Sequence, residues 1–102
     1  MNFRMYYAHY LGLHQNRWCR RLHVLGQIAT VSFVLAVLRT ATTTSAQALW
    51  LLVFTPFVVY PFAWSGHFFF EKNTPAAWQN PIWAKAADWV MLWQIITGKI
   101  PF

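Results

Sequence analysis

The chain has 102 residues, of which 58% are hydrophobic, 20% aromatic and only 10% charged, whereas a soluble domain carries about a quarter of its residues as charged side chains. A fold of this size leaves much of its surface in water and cannot hide seven Trp, nine Phe and four Tyr in one core, so lipid is the solvent expected for the excess. The net charge of +6 suits a face lined with anionic headgroups, and because the basic residues are scattered between apolar runs, nucleic acid is not an expected partner.

In the first 16 residues, Phe3, Tyr7, Tyr10 and His14 fall at i, i+4, i+7 and i+11, one face of an amphipathic helix with Tyr6 and Leu11 beside it. This aromatic stripe is expected to lie in the membrane interface over residues 1–16, with His14 at its end. His9 falls about 100° away and reads as solvated. The first apolar run is Val24 to Leu38, interrupted by Gln27, Thr30 and Ser32. Extending it back to Arg21, whose long side chain can snorkel, gives a first span over residues 21–38. Gln27 within it reads as an interhelical hydrogen-bond partner.

The connector Arg39 to Gln47 is short and polar and reads as a tight helical hairpin. Residues 46–70 form the second span, about 25 residues without a formal charge. Pro56 and Pro61 inside it remove backbone donors and are read as a bend rather than the edge of a cavity. Asn80 as N-cap, Pro81 at the first helical position and Gly98 as a stop bound a last helix over residues 81–97, striped by Ile82, Ala86, Trp89, Trp93 and Ile96. Lys85 and Asp88 shorten its uncharged run, which places it in the interface, with a short third span as the alternative. The expected fold class is an all-α membrane protein, a single domain over residues 1–102, built as a two-span helical hairpin flanked by N- and C-terminal amphipathic interfacial helices.

Arg4, Arg17, Arg20 and Arg21 precede the first span and Lys72, Lys85 and Lys99 follow the second, against Arg39 alone in the connector. Both termini are therefore expected in the cytoplasm, in a bacterial inner membrane or, in a eukaryote, the endoplasmic reticulum. The rival reading, a secretory signal cleaved near Thr44-Ser45-Ala46, needs a charged region over 20 residues long and rich in Tyr and Trp, which does not suit a signal.

Ionisable groups near a membrane are costly, and here they cluster by depth. His23 opens the first span and His67 with Glu71 closes the second, so an antiparallel hairpin brings them to one level, where His14 arrives from the surface helix. His67 and Glu71 are four apart and project from one face of a helix, as two ligands of one metal would. His14 and His23 are nine apart, and the polar run Gln15-Asn16-Arg17 is the break that lets both turn inward. Imidazole with carboxylate and no thiolate suits Fe(II), Zn(II) or Mn(II). The competing reading has histidines that only hydrogen-bond at the membrane interface.

Arg20 and Arg21 read as anchors to lipid phosphate, and either could pair with a fatty-acid carboxylate; Arg21 is the candidate catalytic residue. Trp64, Trp78, Trp83, Trp89 and Trp93 read as an interfacial belt. The lone Cys19 excludes an internal disulfide and a multi-cysteine metal site, and it joins no nucleophilic constellation.

Tyr10-Leu11-Gly12-Leu13-His14, Arg21-Leu22-His23-Val24-Leu25-Gly26 and above all Trp64-Ser65-Gly66-His67-Phe68-Phe69-Phe70-Glu71-Lys72-Asn73-Thr74-Pro75-Ala76 resemble the Mpo-like family of small membrane proteins. Bacterial members are grouped as a domain of unknown function (nine-six-two), and the characterised fungal members are 2-hydroxy-fatty-acid dioxygenases. The resemblance covers nearly the whole chain and implies an iron(II)-dependent α-oxidation, in which molecular oxygen shortens a 2-hydroxy fatty acid or related lipid by one carbon. It implies His14, His23 and His67 as metal-binding residues, while Glu71 matches the motif and is assigned as a ligand from its spacing. Cys19 and Gln27 depart from the fungal pattern and leave the histidines intact.

Two readings of other classes stand beside this one. In the first, His23 and His67 are the axial ligands of a haem and the protein carries electrons. In the second, the chain is a non-catalytic membrane module that binds a partner. Because two spans bury little, a homodimer is one way to complete the cavity, although no small-x-x-x-small motif marks an interface.

Overall fold

The computed structural model describes residues 2–102, and all of their regular structure is helical. Helix α1, Phe3–Gly12, starts at Asn2, whose side chain accepts from the Met5 N–H. It stops short of the expected residue 16, and Asn16 then caps helix α2, Arg17–Thr43, by accepting from the Trp18 N–H. Helix α2 overruns the expected 21–38 span at both ends. Its last turns run through a threonine-rich stretch in which the Thr40, Thr42 and Thr43 hydroxyls donate back to carbonyls three or four residues earlier. The connector expected over 39–47 thus shrinks to a turn at Thr44 and Ser45.

The returning arm, Ala46–Glu71, changes helix type twice. It begins as an unusually long 3₁₀ helix, Ala46–Phe57, continues as α3, Tyr60–Gly66, and closes as a π-helical turn, His67–Glu71. Pro56 lies inside the 3₁₀ segment and Pro61 in the first turn of α3, where its missing N–H leaves no bond unmade. The two prolines therefore mark a change of helix type rather than bend one helix, and the cavity described below opens beside that junction, contrary to the simple bend expected. Lys72, with φ of 57°, turns the chain back after the π-helical turn. Helix α4, Pro81–Ile96, follows, with Asn80 accepting from the Trp83 N–H.

The two arms lie antiparallel and close together because glycines line their contact. A Cβ on Gly26 would sit 2.7 Å from Val59 Cγ2, and one on Gly66 would sit 3.1 Å from both Cα and Sγ of Cys19. Both arms are long and apolar enough to cross a membrane, and they leave Leu25, Ile28, Leu35, Trp50, Val53 and Phe57 exposed.

Helices α1 and α4 pack against each other at one end of this hairpin. Tyr6 and Tyr10 are buried against Ala84, Ala87 and Met91, with Phe3, Tyr7 and Leu11 partly covered. The aromatic face of α1 is thus used against α4, where the sequence suggested an interfacial stripe. Helix α4 turns inward its small residues and Asp88, while Ile82, Trp93 and Ile96 of its expected apolar stripe face outward. The molecule measures 44 × 26 × 26 Å, a helical head on an apolar hairpin.

Candidate metal centre

Where the head meets the hairpin, His14, His23 and His67 are 1%, 4% and 2% exposed, so their imidazoles meet away from water. His14 comes from the break between α1 and α2, His23 from the second turn of α2, and His67 from the start of the π-helical turn. Their ring centroids are 4.5, 4.5 and 5.2 Å apart, with the planes near perpendicular. The second arm returns antiparallel to α2, which is why residues 44 apart in sequence share one depth.

Each ring has one nitrogen committed to an oxygen. Nδ1 of His14 lies 2.7 Å from the Tyr10 carbonyl, Nδ1 of His23 2.8 Å from the Cys19 carbonyl, and Nδ1 of His67 2.6 Å from Asn73 Oδ1. Asn73 is oriented by its own Nδ2, which donates to the Leu13 carbonyl at 3.1 Å. Since these oxygens can only accept, each Nδ1 carries the proton and each Nε2 of a neutral ring keeps a lone pair. Burial, with the His23 ring next to it, pushes His14 down to about 2 and keeps it neutral.

The Nε2 atoms of His14 and His23 then stand 3.1 Å apart with no proton to share. Two lone pairs at that separation repel unless a cation lies between them, and the spacing suits two nitrogens bound to one ion at about 2.0–2.1 Å. Cys19 Sγ completes a buried cluster whose donor atoms all lie within 4.8 Å of one another, and this cluster could hold a metal. The thiol sits on the Nδ1 side of His23, at 3.8 Å, and packs against Gly66. The donor set fits a metal ion held through histidine nitrogens whose far side is fixed by carbonyl oxygens. A haem does not fit: His14 Nε2 occupies the space in front of His23 Nε2 that a porphyrin would need.

Glu71, assigned as a ligand from its spacing, is placed elsewhere. Its carboxylate accepts from the backbone N–H of Asn16 at the start of α2, where unpaired amides favour an anion, and it is no part of the histidine cluster. Arg21 also turns away: its guanidinium lies 4.7 Å from the Trp18 ring and 4.8 Å from that of Phe102, and its Nε donates to the Phe102 carbonyl. Arg20 spends its Nε and Nη1 donors on backbone carbonyls of Pro101, His14 and Gln15.

A small cavity opens next to the cluster, bounded by all three histidines and by Val59, Ala63 and Ala76. Trp64, Lys85 and Asp88 add polar groups to its wall, beside the rings of Tyr10 and Tyr60. Asp88 is buried, and burial pushes its carboxyl up to about 7 against the opposing pull of Gln27, Lys85 and Tyr10. Gln27 Nε2 donates to Asp88 Oδ2 at 2.5 Å, so the amide inside α2 does bond between helices, as its place in an apolar run suggested. Sequence reasoning missed Asp88, Asn73 and Cys19 at this site. The one available signal was Gln27, whose buried amide demands a partner.

Comparison with curated proteins and with solved structures gives no match. Residues 1–100 match the family described as 2-hydroxy-palmitic acid dioxygenase Mpo1-like, and the chain, with its buried histidine cluster, belongs to that family.

Proposed function

We propose that the protein is an iron(II)-dependent dioxygenase of the membrane that shortens 2-hydroxy fatty acids by one carbon. The observation that carries this reading is the meeting of three buried imidazoles, each with Nδ1 held by a carbonyl oxygen and Nε2 left free, in a chain of this family. His14, His23 and His67 hold the metal. Bound iron(II) supplies dioxygen activation and a Lewis acid that orients the hydroxy acid. In balance, R–CH(OH)–COOH and O₂ give R–COOH, CO₂ and water, the four electrons released at C1 and C2 reducing the dioxygen.

The chain's own residues prepare that site. Tyr10, Cys19 and Asn73 fix the ring orientations through their oxygens. Val59, Ala63 and Ala76 wall off water on the apolar side. Exposed Leu35, Trp50 and Val53 on the hairpin, and Ile82, Trp93 and Ile96 on α4, support a hairpin inserted in lipid with α4 at the interface. The excess of Arg and Lys at the histidine end of the hairpin supports a cytoplasmic location for both termini. A centre at that depth meets a carboxylate and C2 hydroxyl while the acyl tail stays in the bilayer.

The test uses anaerobically purified protein, wild type beside His67→Ala, assayed for metal, visible spectrum and oxygen uptake with 2-hydroxyhexadecanoate. Stoichiometric iron without a Soret band and release of pentadecanoate, all lost in the variant, are expected. Folded protein that stays metal-free after iron reconstitution, or iron-loaded protein that releases no pentadecanoate, overturns the reading.

A further inference from the structure

Three buried side-chain polar atoms among the described residues make no hydrogen bond of ordinary geometry: Tyr6 Oη, Trp64 Nε1 and Asp88 Oδ1, the last with the Tyr10 hydroxyl nearby. Two of the three belong to residues that line the cavity beside the three histidines. An orphaned buried donor or acceptor is expensive, and two of opposite kind on one cavity call for a ligand that offers both an acceptor and a donor. Lys85 lines the same cavity. Its ammonium spends one donor on the Pro56 carbonyl at 2.9 Å and lies 4.9 Å from the Tyr60 ring centroid, so donor capacity remains for an anion.

Trp64 and Lys85 thus offer an N–H donor and a positive charge, and Asp88 offers an acceptor. Neighbouring carboxylate and hydroxyl groups supply the complement, with the carboxylate as acceptor and the hydroxyl as donor. A plain fatty acid lacks the hydroxyl, and a 1,2-diol lacks the anion. Arg21 and Arg20, the cations the sequence offers for a carboxylate, are engaged with Phe102 and with backbone carbonyls.

We infer that Trp64, Lys85 and Asp88 form the headgroup subsite of this cavity, with Trp64 Nε1–H and the Lys85 ammonium binding the substrate carboxylate and Asp88 Oδ1 accepting from the 2-hydroxyl. The inference rests on the hydroxy-acid reading above and assigns the selectivity for hydroxylated acids to a side chain that is no metal ligand. Asp88 holds this position because Gln27 fixes its other oxygen. Lys85 and Asp88 are three apart on α4, so both reach one cavity from one helix face.

The test measures binding to full-length protein in lipid nanodiscs, iron-loaded without oxygen and also metal-free, using 2-hydroxyhexadecanoate, hexadecanoate, 2-methoxyhexadecanoate and 1,2-hexadecanediol. Wild type should prefer the hydroxy acid over the plain and methoxy acids by about tenfold or more, as a hydrogen bond to a carboxylate warrants. Asp88→Asn should bring that preference to within about twofold. Trp64→Phe and Lys85→Gln should weaken both acids by a similar factor, about tenfold, and spare the diol. A preference that survives Asp88→Asn overturns the inference. Should that variant not fold, wild type decides alone: a methoxy acid that binds as tightly as the hydroxy acid overturns it. Pentadecanoate release with the preference intact in Asp88→Asn refutes the subsite and leaves the dioxygenase standing, whereas hydroxy-acid preference lost as expected, without oxygen uptake in wild type, refutes the dioxygenase and leaves the subsite.

Discussion

Asp88→Asn should stabilise the protein, and by an amount that depends on pH. The Asp88 carboxyl is raised from an ordinary value of 3.8 to about 7 by its burial. A group that holds its proton more tightly folded than unfolded contributes its full stability below the unfolded value, about pH 4, and loses it as pH rises through the folded value. The rise of about three units, at 1.36 kcal/mol each, makes that loss about 4 kcal/mol by pH 8. Asparagine at this position keeps an oxygen for Gln27 and never ionises, so the variant should escape the loss. Denaturant unfolding of metal-free protein in micelles at pH 4, 5.5, 7 and 8 reads the difference, in which titration of the histidines common to both proteins cancels. The two should agree near pH 4 and diverge to about 4 kcal/mol in favour of Asn at pH 8. Curves that stay parallel across that range would refute the buried carboxylate account.

Four further outcomes follow from single contacts. Asn73→Ala removes the acceptor that fixes His67 Nδ1 and should weaken metal binding about 10- to 100-fold in competition with a chelator. Glu71→Gln should leave metal stoichiometry unchanged, since its carboxylate serves the start of α2; iron lost from this variant would restore Glu71 as a ligand. Gly26→Ala drives a methyl to 2.7 Å from Val59 Cγ2 and 3.2 Å from the Val59 carbonyl, so thermal unfolding should show about 1–3 kcal/mol of destabilisation. Iron(II) at a thousandfold above its Kd should raise unfolding stability by about 4 kcal/mol, with the gain removed by chelator and absent from His67→Ala; a wild-type melting curve indifferent to iron contradicts a folded-state metal site.

The hairpin was legible because its signal is one of composition: two long runs free of charge joined by a polar stretch can pack only as antiparallel helices. The meeting of His14, His23 and His67 followed from that topology and from the polar break before α2, so the sequence sufficed for which imidazoles come together. Glu71 went elsewhere because spacing says which face a side chain leaves from and nothing about what waits beyond it, here the open amides at the start of α2. The aromatic face of α1 was assigned to lipid for a related reason. An aromatic stripe reads the same whether it faces lipid or a neighbouring helix, and the small residues Ala84 and Ala87 that accept it on α4 carry no periodic signal of their own. Asp88 looked like an interfacial charge since its partner Gln27 lies 61 positions away.

The polar groups of the head share one electrostatic logic. A fold this small, with much of its apolar surface left outside, has little stability to spare, yet it buries three imidazoles, an amide and a carboxyl within one cluster of helices. His14 cannot relieve the contact of facing lone pairs by taking a proton, because its burial depresses its basicity far below neutrality. Asp88, beyond the histidines, keeps one oxygen without a hydrogen bond of ordinary geometry. Both defects are deficits of positive charge or of hydrogen on the same cavity: a cation among the Nε2 atoms relieves the first, and a hydroxyl brought beside it relieves the second. Sites that violate local rules of packing and polar pairing are where function is to be sought, and here the two violations are complementary to the two halves of a metal-bound hydroxy acid.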